Sequence, residues 1–174
     1  MKKTAKIVLA LAMVATIVSA CFALCACNDN DIKLVAVNAA DLLKEDFGIA
    51  VTKGNTALMD AINQVIDEWT ANGKISQYTE YYSALADEEN GGAKAVAPDG
   101  LQTSWDFGGA TQTITIFTES GFAPYEFIHG GSVVGIDIAI MSQVAANTGK
   151  KLEIKDVAFD VIATNVATAT GDAV

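Results

Sequence analysis

A stretch without hydrophobic periodicity, residues 87–112, divides this chain and constrains its architecture more than any other feature. Glycine, proline and acidic residues crowd it, among them Gly91, Gly92 and Pro98. Unpatterned segments of this length are uncommon inside compact domains. The sequence therefore predicts a linker at 87–112, which joins a patterned segment at residues 28–86 to a second one at residues 113–174.

Residues 1–27 have the composition of an export signal. Lys2, Lys3 and Lys6 precede an apolar run over residues 7–27, and a polar run follows at once. A positive start, an apolar centre and small residues at the end are typical of secretory signals. A run of this length could also remain as a membrane-spanning helix, so an uncleaved anchor stays open as the alternative.

All 3 cysteines of the chain lie in this leader. Residues 18–21 and 24–27 both resemble the lipobox of bacterial lipoproteins, in which a small residue precedes a cysteine that becomes lipidated. We favour Cys27 as the lipidated residue because polar sequence begins directly after it, and Cys21 is the alternative. Beyond Cys27 there is no cysteine, so we expect neither a disulfide nor a thiolate metal site in the body.

The charge and the motif content exclude several classes of function. The net charge is −10, and all 11 positively charged side chains are lysines. Nucleic acid is therefore an unexpected partner, since phosphate neutralisation needs basic clusters. The lone histidine, His129, lies in a glycine-rich turn, and no nucleophile, phosphate-loop or metal motif occurs. Glu119 and Glu126 could pair as acid and base only in a suitable geometry. We expect no enzymatic activity, no metal and no cofactor.

Hydrophobic periodicity predicts alternating strands and helices in both segments, which favours the α/β class. In the first segment we expect strands at 33–37 and 47–52, a helix that Asn55 or Thr56 caps and that ends at Asn72-Gly73, and a helix from about Ser76. In the second segment we expect a strand at 113–117, a hairpin at 125–135, a helix from Asp137 to Gly149, a strand at 151–155 and a helix at 159–168.

Two stretches resemble one family. Residues 114–162 begin with the strand "ITIF", continue through the aromatic-Ala-Pro-aromatic corner at 122–125 and the Val-Gly-x-Asp at 134–137, and reach Phe159-Asp160. They resemble the opening of type 3 extracellular solute-binding proteins, which serve ABC importers of amino acids. Residues 45–82, with "FGIAV", Lys-Gly-Asn and a helix ending in Asn-Gly, resemble the closing stretch of the same family.

The order of these two stretches is reversed relative to the family. The resemblance implies one lobe of a type II periplasmic-binding-protein fold, circularly permuted or partial, after an N-terminal signal helix. We hypothesise that both stretches fold as one sheet-and-helix body joined by residues 87–112, since permutation is tolerated where termini are exposed and close together. The alternative is a tandem-gene remnant that is cut at both sides, and on either view we expect the family fold to be truncated.

The resemblance also implies a ligand site. Glu119 stands where the family's acidic residue receives the ligand's ammonium group, Phe122 stands where an aromatic ring stacks on the ligand, and Tyr125 belongs to the same corner. Each has a structural alternative, which is packing for the two aromatics and a solvated strand end for Glu119. The family's carboxylate-binding arginine has no counterpart here. We therefore expect weak or no amino-acid binding by the chain alone.

The leading hypothesis for the function is a lipid-anchored, extracytoplasmic solute-binding component of an amino-acid ABC importer. The expected partners are permease subunits, an amino acid, and the bacterial cell membrane through the lipid anchor. The alternative is a non-transport surface lipoprotein that acts as a sensing or interaction lobe.

Overall fold

Two consecutive helices follow the short non-helical stretch with which the described part of the chain begins. The computed structural model describes residues 47–168 and 171–174; the leader, its Cys21 and Cys27, and the strand expected at 33–37 lie outside them. Helix α1 spans Thr56–Ala71 and helix α2 spans Lys74–Glu89. The predicted helices are confirmed, although α2 begins two residues before Ser76 because Gly73 already turns the chain, with a left-handed φ of 77°.

The two helices form where the sequence provides a cap and an apolar stripe. Asn55 caps α1, and its Oδ1 accepts a hydrogen bond from the backbone N–H of Leu58 at 3.3 Å. The buried face of α1 consists of residues spaced by three or four positions, namely Leu58, Ile62, Val65 and Trp69. This spacing places them on one side of the helix, from which they enter the core.

The second segment builds a parallel strand pair and a small antiparallel sheet. Strand β1 (Thr113–Thr118) pairs in parallel with β5 (Lys151–Asp156), and helix α3 (Ile136–Asn147) lies between them in sequence. Strands β2 (Gly121–Phe122), β3 (Glu126–His129) and β4 (Ser132–Val134) form the antiparallel sheet. Helix α4 (Phe159–Ala167) follows β5 and contacts β1. The α/β class predicted from the sequence is confirmed.

The first segment joins this sheet through residues 50–52. Ala50 and Val174 exchange two backbone hydrogen bonds of 2.7 and 2.9 Å, and the N–H of Thr52 donates to the carbonyl of Asp172 at 3.0 Å. Residue 173 connects this stretch to β1, because the carbonyl of Ala173 accepts a hydrogen bond from the N–H of Phe117 at 3.0 Å. The predicted strand at 47–52 is therefore reduced to a short bridge at Val51, but it lies in the same sheet as β1.

The core is continuous between the two segments. Helix α1 packs against α3, and α2 packs against α3 and β3. The ring of Trp69 stacks on that of Tyr78 with 4.5 Å between centroids, and Tyr82 meets Phe127 edge to face at 6.3 Å. Among the residues that the structure describes, no helix has both the length and the apolarity needed to cross a bilayer.

The segment between α2 and β1 has neither helix nor strand, yet it packs on the body. Leu101 is buried. The hydroxyl of Tyr78 donates to the carbonyl of Gln102 at 2.7 Å, and the indole N–H of Trp105 donates to Oε1 of Gln143 at 3.2 Å. The predicted linker therefore starts later than residue 87, because α2 continues to Glu89, and side chains from both segments hold it in place.

Candidate functional site

The corner at residues 119–125 lies where β1 ends, beside the end of β5. Strand register places Thr118 opposite Asp156, so the residues that follow β1 meet the Asp156 carboxylate. The N–H of Ser120 donates to Oδ1 at 3.0 Å, and its hydroxyl donates to Oδ2 at 2.5 Å. These hydrogen bonds lower the pKa of Asp156 below its ordinary value. This contact could have been predicted from the sequence, because Asp156 follows a strand expected to run parallel to β1, and the carboxyl ends of parallel strands meet at one edge of a sheet.

Glu119 is exposed at this corner. Together with Ser120, Gly121 and Asp156 it lines an open depression of about 340 Å³, which residues 157 and 158 complete. Two carboxylates on one side of a shallow depression favour a positively charged group over an anion. Glu119 is thus accessible to a ligand, and its exposure fits both a recognition residue and a solvated acid at a strand end.

Phe122 and Tyr125 belong to an aromatic cluster that a third ring, Phe47, completes. The rings of Phe47 and Tyr125 stack at 4.3 Å between centroids, and Phe122 lies 5.9 Å from Phe47 and 6.0 Å from Tyr125. Phe122 is 49% exposed and Phe47 is 51% exposed, whereas Tyr125 is half-buried. The cluster therefore presents ring faces to solvent beside the corner, and such faces suit apolar or cationic groups.

The backbone of the corner is fixed against the start of α3. The carbonyl of Tyr125 accepts from the N–H of Asp137 at 3.2 Å, and the carbonyl of Pro124 accepts from the N–H of Ile136 at 3.1 Å. Gly135 allows this approach, because its φ is 142° and a Cβ there would lie 1.9 Å from the Tyr125 carbonyl oxygen. The position of the Tyr125 ring thus depends on a glycine ten residues away in sequence.

A carboxyl pair lies next to the corner, formed by Glu126 of β3 and Asp137 of α3. Burial is the main cause that raises the pKa of Glu126 to about 8, and the charges of Asp137 and Glu119 add to it. Burial also raises the pKa of Asp137 to about 6, against a smaller lowering by its hydrogen bond with Glu126. No donor from outside the pair reaches the buried Oε2 of Glu126. From the sequence, Glu119 was the possible partner of Glu126, whereas the side chain that hydrogen-bonds with Glu126 is that of Asp137.

The remaining titratable residue singled out from the sequence, His129, is remote from this chemistry. Its Nδ1 lies 2.7 Å from Oε1 of Glu89, so the tip of the β3–β4 hairpin contacts the end of α2. Within residues 47–168 and 171–174, no group of three or more metal-ligating side chains occurs. His129 therefore has a structural contact between the two segments.

Comparison with known proteins identifies the second segment. Residues 114–174 match the bacterial extracellular solute-binding proteins, family 3. A solved structure described as "Crystal structure of the substrate binding protein of an amino acid ABC transporter" is 36% identical over 34% of this chain and 29% of that chain, with a TM-score of 0.33. The chain thus spans 29% of the length of that protein. The comparison with curated proteins finds no match.

The resemblance expected from the sequence is therefore confirmed over residues 114–174, which match a family of solute-binding proteins. Glu119, Phe122 and Tyr125 all lie inside the matched segment. Phe47, by contrast, comes from the other segment, and it reaches the corner only because residues 50–52 pair with residues 172–174. No local pattern around Phe47 could have indicated that role.

Proposed function

We propose, from the match of residues 114–174 to bacterial extracellular solute-binding proteins, that this protein is a lipid-anchored, extracytoplasmic solute-binding component of an amino-acid ABC importer. That match is the observation that carries the proposal. Permease subunits are the proposed protein partners. The pairing of the family-like segments in one sheet supports a circularly permuted lobe, since both contribute backbone hydrogen bonds on either side of Ala173.

We further propose that Glu119, Phe122 and Tyr125 contact the ligand. The exposed Glu119 carboxylate receives the ligand's ammonium group, and a charge-assisted hydrogen bond of this kind is roughly twice as strong as a neutral one. Phe122 offers an exposed ring face to the ligand's side chain. Tyr125 orients that ring through the aromatic cluster.

The ligand's carboxylate finds no guanidinium in this sequence, because its 11 Lys and Arg residues are all lysines. Bidentate recognition of a carboxylate is a property of arginine. We therefore propose an incomplete site that binds free amino acids with a dissociation constant on the order of 1 mM or higher. This corresponds to a binding free energy no more favourable than about −4 kcal/mol.

The test is a titration of the ¹⁵N-labelled full chain with single amino acids up to millimolar concentrations, followed by amide chemical shifts. We expect fast-exchange shifts at residues 117–127 that Glu119→Gln abolishes. Glu153→Gln is the matched control, since Glu153 is an exposed acid on β5 outside the corner, and it should leave the shifts unchanged.

Two results would contradict this account. Micromolar or tighter binding of a free amino acid would show that the site is not incomplete. Absence of any shift at the corner with every amino acid would remove the ligand site and favour the alternative, a non-transport lipoprotein that acts as a sensing or interaction lobe.

The anchor is proposed to be a lipid on Cys27, with Cys21 as the alternative position. Mass spectrometry of the membrane-associated protein tests it, because each acyl chain adds mass to the cysteine that becomes the N-terminus. We expect Cys27→Ala to abolish the modification and Cys21→Ala to retain it. The reverse pattern would assign the anchor to Cys21, and an unmodified protein retaining residues 1–27 would indicate an uncleaved helix.

A further inference from the structure

A second cavity of about 570 Å³ adjoins the proposed amino-acid site, since Thr118, which precedes Glu119, and Glu126, which follows Tyr125, both line it. Its walls come from residues 48–51, from β1, from α3 and from α4, and they are mostly aliphatic, with Ile116, Met141 and Ile162 among them. Small-molecule sites commonly have volumes of about 300–1,000 Å³ and apolar walls with a few polar groups. None of Glu119, Phe122 and Tyr125 lines this cavity, so its lining is distinct from the proposed amino-acid contacts, although the charge of Glu119 acts on Glu126.

The acidic lining residues of this cavity are the members of the carboxyl pair, Glu126 and Asp137. Within the residues that the structure describes, contacts of up to 4.0 Å between basic and acidic side chains join His129 to Glu89 and Lys155 to Glu153, so neither member of the carboxyl pair has a basic partner within that distance. Lys53 also lines the cavity, but its side chain is exposed and is not paired with them. A partly buried negative charge without a counter-ion is unfavourable, and a cation that enters beside it relieves this cost.

We propose that this cavity binds an organic cation with an apolar body, whose ammonium group lies against the Glu126–Asp137 pair and whose hydrocarbon lies along the aliphatic walls. Charge complementarity selects this occupant. A fatty acid of the same size would bring a second anion to the pair. A divalent metal ion would leave the aliphatic walls without a partner, and within the described residues no group of three or more metal-ligating side chains occurs.

The proton of the pair makes binding depend on pH. At neutral pH the pair holds one proton, since burial raises both pKa values, to about 8 for Glu126 and about 6 for Asp137. Glu119 and Lys53 are the other titratable groups that face it. A bound ammonium favours the doubly ionised pair, so binding releases a proton and the affinity rises between pH 7 and pH 9.

The experiment compares n-hexylammonium, n-hexanol and hexanoate as probes of the full chain labelled with ¹³C at the methionine methyl groups. Met141 lines the cavity and reports on it, whereas Met59 is exposed on α1 and serves as the internal control. We expect hexylammonium to shift the Met141 signal at concentrations about tenfold below those that hexanol requires. Hexanoate should not shift it, and Met59 should not respond to any probe.

Variants separate the charge from the cavity. The double variant Glu126→Gln with Asp137→Asn keeps the size of the pair, and we expect it to bind hexanol as before while losing the tenfold preference for hexylammonium. Asp160→Asn removes an exposed acid from α4 outside the cavity lining, and it should keep the preference. The proposal is overturned if the double variant retains the preference, if hexanoate binds best, or if none of the probes shifts Met141. Calorimetry in buffers of different ionisation enthalpy should detect the released proton.

Discussion

The corner and the cavity contain the same chemical group, a carboxyl, in opposite states. At the corner, hydrogen bonds from Ser120 stabilise the ionised form of Asp156 and lower its pKa. At the cavity, burial destabilises the ionised form of Glu126 and raises its pKa to about 8. The difference shows that donors and water access, rather than residue type, decide which acid here is a permanent anion and which one exchanges a proton.

Both regions nevertheless depend on one short segment. Phe47 supplies a ring to the aromatic cluster beside the corner, and the next residues, 48–51, form one wall of the cavity. Backbone hydrogen bonds from residues 50–52 to residues 172–174 hold this segment in the sheet. Changes that loosen the shared body should therefore affect both regions, whereas changes of single charged groups should affect only one.

Trp69→Ala should have the largest effect and remove both regions together. Trp69 is 1% exposed and stacks on Tyr78, so truncation should cost about 3–5 kcal/mol of the free energy of unfolding. Chemical denaturation with fluorescence or circular dichroism measures this loss. Met59→Ala on the same helix removes a side chain that is 43% exposed and should change stability little. Equal losses in the two variants would contradict the described core.

Gly135→Ala should disturb the corner more than the cavity. The new methyl group would meet the Tyr125 carbonyl oxygen at 1.9 Å, and overpacking of this kind costs about 1–3 kcal/mol. We expect the amide shifts of residues 122–126 to change strongly while the Met141 methyl signal changes little. Gly131→Ala is a matched control, since a Cβ at Gly131 meets no atom within 4 Å and introduces only the strain of a positive φ. A larger change in the Met141 methyl signal than in the amide shifts of residues 122–126 would contradict the expectation that Gly135 supports the corner more than the cavity.

Glu126→Gln should reduce the loss of stability that the wild-type protein shows as the pH rises. Because the folded pKa of Glu126 is above its unfolded value, the stabilisation is fully present below the unfolded pKa and is lost as pH rises through about 8. Gln cannot ionise, so the variant should gain on the order of 1 kcal/mol relative to wild type at pH 9. Thermal unfolding at pH 5 and pH 9 measures it, and parallel curves for the two proteins would contradict the raised pKa.

Asp156→Asn should give the smallest effect, with the opposite dependence on pH. The folded pKa of Asp156 is lowered, so its contribution is present above the unfolded pKa and is lost as pH falls through the folded value. The variant should lower the melting temperature at pH 7 by no more than about 2 °C, and this difference should vanish in acid. A difference that grows in acid would contradict the assignment.

Local patterns were sufficient for most of the elements, but the strand expected at 47–52 is reduced to a bridge at Val51. The stripe Leu58, Ile62, Val65 and Trp69 predicted α1, and the alternation over 113–117 predicted β1, whereas the choice between Asn55 and Thr56 as the cap needed the structure. These features depend on neighbours within one or two turns or along one strand. The exposed corner followed from the family resemblance, because its aromatic-Ala-Pro-aromatic motif is continuous in sequence.

The side-chain contacts that define the chemistry of the two regions could not be predicted from local sequence patterns. Phe47 stacks on Tyr125, and Glu126 is hydrogen-bonded to Asp137, only after distant segments have packed. Likewise, the segment predicted as a linker contains Leu101 and Trp105, whose partners lie on the body rather than nearby in sequence. Long-range packing fixes such pairs, and periodicity carries no information about it.

The central claim is that the segments before and after residues 87–112 form one cooperative body, and native-state hydrogen exchange tests it most directly. The N–H groups of Ala50, Phe117 and Val174 all donate within the shared sheet. We predict that these amides exchange with similar protection in the full chain and that Trp69→Ala lowers the protection of all of them together. Protection of Phe117 that persists while Ala50 exchanges as fast as an unstructured peptide would contradict the claim.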